Sequence, residues 1–265
     1  MSDTQAPESP ISGNVLFYSQ PEPLNMERHG KLGVNQAEKP YAFVGATNAV
    51  PLTVTEFSPA ALSFPVVFLG EPKSPVAIMG LRQDQNLFVD EAGQYLSSAY
   101  LPAFVRRYPF VFANDEDNKR MVLCIDRSAP FLAEGGQVPL FDGDKPSAFT
   151  EQAMQFCNDF ELERQRTTRF VEMLEELDLF EVKEATFTPR NADGSPGPVQ
   201  KLAQYHAVSE DKLKALPAEK LVELRDNGAL GQIYAHLVSL LGWDRLIAMS
   251  FQRAAAAAQP AAANA

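Results

Sequence analysis

YLPAFVRRYPFVF, residues Tyr100–Phe112, sets two consecutive arginines between apolar runs and leads straight into a hairpin pattern. The polar link Asn114–Asn118 (NDEDN) separates Tyr108–Phe112 from Arg120–Ile125, and such a turn-prone stretch between two apolar runs predicts paired antiparallel strands. Upstream, from Tyr41 to Ile125, the chain reads as short strands punctuated by Pro, Gly, Asn and Asp: Tyr41–Val44, Val66–Leu69, Val76–Leu81, Leu87–Asp90, Phe110–Phe112 and Met121–Ile125. One short helix interrupts them at about Thr55–Leu62, with Thr55 as its cap and Pro59 near its first turn.

Downstream the period changes. After a Gly/Pro/Asp-rich connector, Glu134–Pro146, residues Thr150–Leu177 place Ala153, Phe156, Cys157, Phe160, Val171, Leu174 and Leu177 on one side of a long helix. A hairpin is expected next: Phe180–Thr188, a turn across Asn191–Pro198, then Val199–Ala207. Helices follow at Glu210–Leu216, Ala218–Asp226 and Leu230–Leu240 and from Trp243 onward, with Ser209 and Pro217 as starts and Asn227-Gly228 as a stop. Strands first and helices after predict an α+β fold: a mainly antiparallel N-terminal β region, then a helical region with one β-hairpin. We expect one domain over residues 26–253, a flexible arm at 1–25 and an Ala-rich tail at 254–265, in which Pro260 stops any helical extension.

The 265 residues carry a net charge of −11, with 45% hydrophobic and 22% charged residues. That composition is globular, and its sign argues against nucleic acid and against an anionic membrane surface. No apolar run approaches the ~20 residues of a spanning helix. The opening MSDTQAPESP has neither a basic nor an apolar signal region, so a cytoplasmic location is the expectation, with signal-less export to the cell surface as the alternative. Cys124 and Cys157 both fall in apolar settings and read as buried thiols rather than as a disulfide.

Motifs that carry chemistry are sparse. No GxxxxGK[ST] or GxGxxG occurs, and Gly30 and Gly33 do not continue into a phosphate loop. His29, His206 and His236 form no metal-ligand pair, and His236, inside an apolar helix, reads as a satisfied core histidine. GxSxG is absent, and the adjacent carboxylates read as solvated surface. We therefore expect no cofactor and no metal, and lean towards a non-enzyme.

What remains is charge inside apolar stretches: Arg82 after VAIMGL, Asp90 ending LFVD, Arg106 and Arg107, Tyr108 beside them, and Asp126 ending MVLCID. A buried guanidinium must snorkel, pair with a carboxylate or bind an anion. On an extended chain, Arg106 and Arg107 point to opposite faces, one inward towards Asp90 or Asp126. Two readings stay open: an ion pair that fixes strand register, or a fork that recognises a carboxylate or phosphate. The long helix adds a polar break at Arg164, Thr167 and Thr168, either an ordinary solvated stretch or the lining of a polar cleft against the sheet.

Several of these stretches together resemble the SapC family of bacterial proteins. They are FVGATNAVPLTVTEFSPAALSFPVVFL (43–69), MGLRQDQNLFVDEAGQYLSSAYLPAFVRRYPFVF, MVLCID, RTTRFVEMLEELDLF and IYAHLVSL. The likeness runs from about Tyr41 to Leu241 and rests on ordered similarity rather than on one motif. Arg82, Asn86, Phe88, Asp90, Pro102, Arg106, Arg107, Tyr108, Pro109 and Phe110 fit its pattern. The resemblance implies an accessory role in a cell-envelope, surface-layer or outer-membrane uptake system, with protein partners of that kind. It brings no catalytic residues to carry over. A permease that shares the family's name is unrelated, since this chain has no membrane span.

Overall fold

Val66–Leu69 and Ser74–Ile78 are runs of β-branched and apolar residues, and Gly70 (φ +73°) and Lys73 (φ +46°) turn the chain back between them. The result is an antiparallel pair in register Val66–Ala77 to Leu69–Ser74. The computed structural model describes residues 15–115, 120–189 and 195–258. In chain order its strands are β1 (Pro21–Pro23), β2 (Leu32–Val34), β3 (Ala49–Pro51), β4 (Val66–Leu69), β5 (Ser74–Ile78), β6 (Phe110–Asp115), β7 (Arg120–Asp126), β8 (Leu132–Glu134), β9 (Val138–Pro139), β10 (Phe141–Asp142), β11 (Lys145–Pro146), β12 (Phe180–Phe187) and β13 (Gln200–Val208). Its helices are α1 (Met26–His29), α2 (Phe57–Ala61), α3 (Ala103–Arg106), α4 (Ala148–Glu176), α5 (Glu210–Lys214), α6 (Ala218–Asp226), α7 (Ala229–Ser239) and α8 (Gly242–Ala258). The fold is α+β with antiparallel sheets, as the change of period predicts.

The chain divides into two compact units. The first comprises Met1–Pro40 and Arg106–Leu162. Here the expected hairpin β6–β7 forms, and β1 adds to the far edge of β7, giving the order β1-β7-β6. A second small sheet has the order β8-β2-β9. Gly33 is required there by close approach, because a Cβ would sit 2.6 Å from the Gly136 carbonyl oxygen. Leu32, Phe110, Leu123, Ile125, Leu140 and Cys157 form its buried core.

The second unit comprises Tyr41–Val105 and Glu163–Ala265. Its sheet has the order β12-β13-β4-β5-β3, so the late hairpin joins strands from the first third of the chain. Phe57, Phe68, Phe170 and Phe180 pack edge to face within it, at centroid distances of 5.0–6.0 Å. The strands β13 and β4 pair directly at His206 and Phe68. Continuing that register sets Val208 opposite Val66, and there the imidazole of His236 from α7 stands between the two backbones. Val208 N donates to Nε2 (3.0 Å), and Nδ1 donates to Val66 O (2.8 Å). Ser239 Oγ, one turn on, accepts from Val66 N (2.9 Å).

Three local expectations are corrected. Tyr41–Val44 is not a strand, since Ala42–Val44 is a 3₁₀ turn closed by Gly45 N to Ala42 O. Leu87–Asp90 is not a strand either. Its backbone is taken up by Met79 O, by Arg253 and by a single bridge between Val89 and Tyr95. The helix expected from Thr55 begins earlier, with a 3₁₀ turn at Val54–Glu56 after Thr53. Residues 1–14 of the expected arm, 116–118 of the NDEDN link, 191–194 of the later turn, and 259–265 with Pro260 lie outside the described residues. Of the arm, Pro21–Pro23 is strand β1, and Tyr18 is buried.

Candidate functional site

Asp126 closes β7 and is fully buried. Its Oδ1 accepts from Gln20 N (3.0 Å), Ser128 N (3.0 Å) and Ser128 Oγ (2.6 Å), and its Oδ2 from Ser19 N (3.0 Å) and the Tyr108 hydroxyl (3.3 Å). Burial pushes this carboxyl up, but the hydrogen bonds from Ser128, Ser19 and Gln20 outweigh it and hold Asp126 below its ordinary value. The expected inward ion pair between Asp126 and an arginine is replaced by hydroxyl and amide donors, which satisfy the charge without a cation. Tyr108 also packs edge-on against Tyr18 (5.3 Å) and Phe131 (5.7 Å). Burial raises its hydroxyl pKa, with the Asp126 charge acting in the same direction.

Arg106 and Arg107 do not point to opposite faces. Arg106 ends the short helix α3 and Arg107 follows it, so the backbone there is turned rather than extended. Their guanidinium groups lie over successive rings of one face of α4: Arg106 over Phe156 (5.2 Å) and Arg107 over Phe160 (4.5 Å). Phe156 and Phe160 are one helical turn apart, which is why consecutive arginines reach both. Arg107 is also 5.8 Å from the Tyr18 ring, and burial lowers its pKa against the opposing influence of Tyr18 and Cys157. Arg106 is exposed.

Arg82 and Asp90 belong to the other unit. Arg82 pairs with Asp84 at 3.2 Å, and both side chains are about 70% exposed. Asp90 is exposed, and its Oδ1 accepts from Gln94 N (2.8 Å), which makes it a turn residue. A cleft of about 560 Å³ runs past Asp90 to Arg245 and Arg253. Arg253 is held by the backbone there, donating to Asn86 O (2.6 Å) and Val89 O (2.5 Å). Among the six candidates, Tyr108 and Asp126 are brought into direct contact.

Other residues escape the sequence reading. Glu56 is 5% exposed and accepts from Thr53 N (2.8 Å) and Thr53 Oγ1 (2.9 Å) on one oxygen, and from the Tyr100 hydroxyl (3.0 Å) and Ala103 N (2.7 Å) on the other. It therefore both closes its own turn and caps α3. Thr53-Val54-Thr55-Glu56 is a T-x-x-E capping signature, a signal that was available. Tyr18, which donates to Phe110 O at 2.6 Å, had no such signal.

The polar break in α4 has two faces. Thr167 is buried, accepts from Val54 N (2.8 Å) and donates to Glu163 O (2.7 Å), so it continues the packed stripe with a hydroxyl. Beside it, Arg166 and Arg169 line a cleft of about 570 Å³ with Val54, Phe170, Met173 and the start of α7. A cleft is thus present at this stretch, but it lies against the turn at Val54–Thr55 and the start of α7 rather than against the sheet, and Arg166 and Arg169, not Arg164, line it.

His236, His29 and both cysteines are held internally, whereas His206 is half-buried and lines a separate cleft with Glu71, Lys73 and Gln204. Burial lowers His236 to about 4, the Val66 hydrogen bond opposing and Lys183 assisting, so the ring stays neutral. His29 is buried with Nε2 2.7 Å from Glu22 Oε1 and Nδ1 3.0 Å from Asn25 O. Burial pushes the thiols of Cys124 and Cys157 up to about 11. Among the described residues, no group of three or more His, Cys, Asp or Glu side chains could hold a metal ion, and no helix is long and apolar enough to cross a membrane.

The SapC family model matches residues 24–246, most of the chain. The chain belongs to the SapC family. No curated protein and no solved structure is found to match it.

Proposed function

We propose that this SapC-family chain is a binding accessory of a bacterial cell-envelope or surface-layer system, and that it works by holding a partner rather than by catalysis. The observation that carries this reading is the internal engagement of His236, Asp126 and both cysteines. The nitrogens of His236 bridge two strands, Asp126 is saturated by hydroxyl and amide donors, and both thiols are buried and protonated at neutral pH. Catalytic groups are instead left within reach of a reacting atom. The test is affinity capture with the full chain from separated envelope and cytosolic fractions of the source cells. Identified envelope, surface-layer or outer-membrane uptake components are expected to be enriched over a denatured-bait control. Enrichment of cytosolic proteins alone overturns the reading.

A second reading keeps Arg106, Arg107 and Tyr108 as a site for an anionic ligand. It is favoured by the placing of two guanidinium groups side by side, Arg106 exposed over Phe156 and Arg107 over Phe160. Saturable binding of a carboxylate or phosphate compound that Arg106→Gln abolishes would establish it, and binding unchanged in that variant would remove it.

A further inference from the structure

The cleft beside the polar break of α4 combines three features that a solvated surface does not need together. Its floor is apolar, formed by Val54, Phe170 and Met173. One wall carries Arg166 and Arg169, and no carboxylate is among the lining residues, although the chain as a whole carries a net charge of −11. The opposite wall is the first turn of α7, where Gln232 Oε1 is shielded from solvent without a hydrogen-bond partner among the described residues. The volume, about 570 Å³, falls inside the range of about 300–1,000 Å³ usual for small-molecule sites.

Neither arginine is committed to a strong internal bond. Arg166 Nη1 pairs with Glu163 Oε1 at 2.8 Å, but its side chain is 64% exposed, and a pair in that setting contributes little. Arg169 donates through Nε to Gln165 O at 3.4 Å, which leaves its terminal nitrogens for another acceptor. They are three residues apart on one helix, so both forks can reach one headgroup. A bare inorganic anion would use the arginines and leave the apolar floor wet. An uncharged apolar compound would use the floor and leave two guanidinium groups idle.

We propose that this cleft binds a small amphipathic organic anion, with a carboxylate or phosphate head on Arg166 and Arg169 and an apolar body over Val54, Phe170 and Met173. The proposal goes beyond the accessory reading and does not depend on it, because it concerns a site within one compact unit and is tested without any protein partner.

The probe is N-decanoylglycine, which carries a carboxylate, an amide N–H and an alkyl chain, titrated calorimetrically into the full chain. Its methyl ester removes the charge alone, and inorganic phosphate removes the apolar body. Saturable binding is expected for N-decanoylglycine, with affinity about tenfold or more lower for the ester and for the Arg166→Gln/Arg169→Gln double variant, one charge-assisted contact being worth about that much. Both arginines are exposed, so the double variant keeps its core, and an unchanged melting temperature verifies this. No saturable binding of the probe overturns the proposal. So does equal affinity for probe and ester, equal affinity in the folded double variant, or phosphate binding as tightly as the probe.

Discussion

Acidification should loosen this protein in a window set by His236. The ring takes the place of one ladder hydrogen bond between β13 and β4: it accepts from Val208 N, donates to Val66 O, and rests edge-on against Phe68 at 5.0 Å. Only the neutral ring with its proton on Nδ1 can do both. The folded value of about 4 lies below 6.5, the ordinary value that the unfolded chain regains. Between those values the unfolded chain takes up a proton on His236 and the folded chain does not, so stability falls as pH falls from about 6.5 towards 4, and the loss levels off below that. At about 1.4 kcal/mol per pH unit across that gap, the loss is about 3 kcal/mol, a large part of a typical domain's stability of roughly 5–15 kcal/mol. The assay is urea denaturation of the wild type and of His236→Phe at intervals from pH 7 to pH 4. The phenylalanine keeps a ring against Phe68 but leaves Val208 N without a partner and Val66 O with only the 3.4 Å bond from Ser239 Oγ, at a cost of about 1–3 kcal/mol at pH 7. The two stability curves should converge as pH falls. Parallel curves would refute the reasoning, and so would an imidazole that titrates near 6.5 in the folded protein by NMR.

Other perturbations follow from the same geometry. Asp126→Asn sets an amide donor against the N–H groups of Ser19 or Gln20 and should lower stability by about 2–4 kcal/mol in urea denaturation. Because the folded carboxyl titrates below its ordinary 3.8, the Asp126 contribution is present above that value and is lost as pH falls through the lower, folded value, apart from the His236 window. Glu56→Gln should cost about 2–4 kcal/mol and speed amide exchange at Ala103, whose N–H Glu56 accepts; a change under about 1 kcal/mol would mean that the cap is dispensable. Cys124 and Cys157, at about 11 against an ordinary 9.0, should react with a disulfide reagent at pH 8 about a hundredfold more slowly folded than unfolded; equal rates would place the thiols in solvent.

The candidate site was legible in composition more than in geometry. Arg106, Arg107, Tyr108 and Asp126 stood out because charge inside an apolar run must be satisfied somehow, and all four are engaged within one unit. Their partners were not legible. The Asp126 donors include Ser19 and Gln20, 107 and 106 residues away, which no local pattern links to β7. The opposite-face expectation failed because α3 and the residue after it are turned, and alternation holds only for extended backbone. At Thr167 the break in the apolar stripe was visible, but its meaning required Val54, 113 residues earlier.

By itself the sequence determined the order of element types, strands first and helices after, the β6–β7 and β12–β13 hairpins, the long helix, the buried state of both cysteines and of His236, and the family. Each of these follows from periodicity, turn residues or ordered similarity, all read along the chain. Tertiary structure alone decided that the late hairpin joins β4 in one sheet, that His236 completes that junction, that Glu56 caps α3, and that Arg166 and Arg169 face an apolar floor. Those outcomes depend on which distant backbone group lies within about 3 Å of a given polar atom. Sequence can say that a buried donor or acceptor needs a partner; only the packed chain assigns it one.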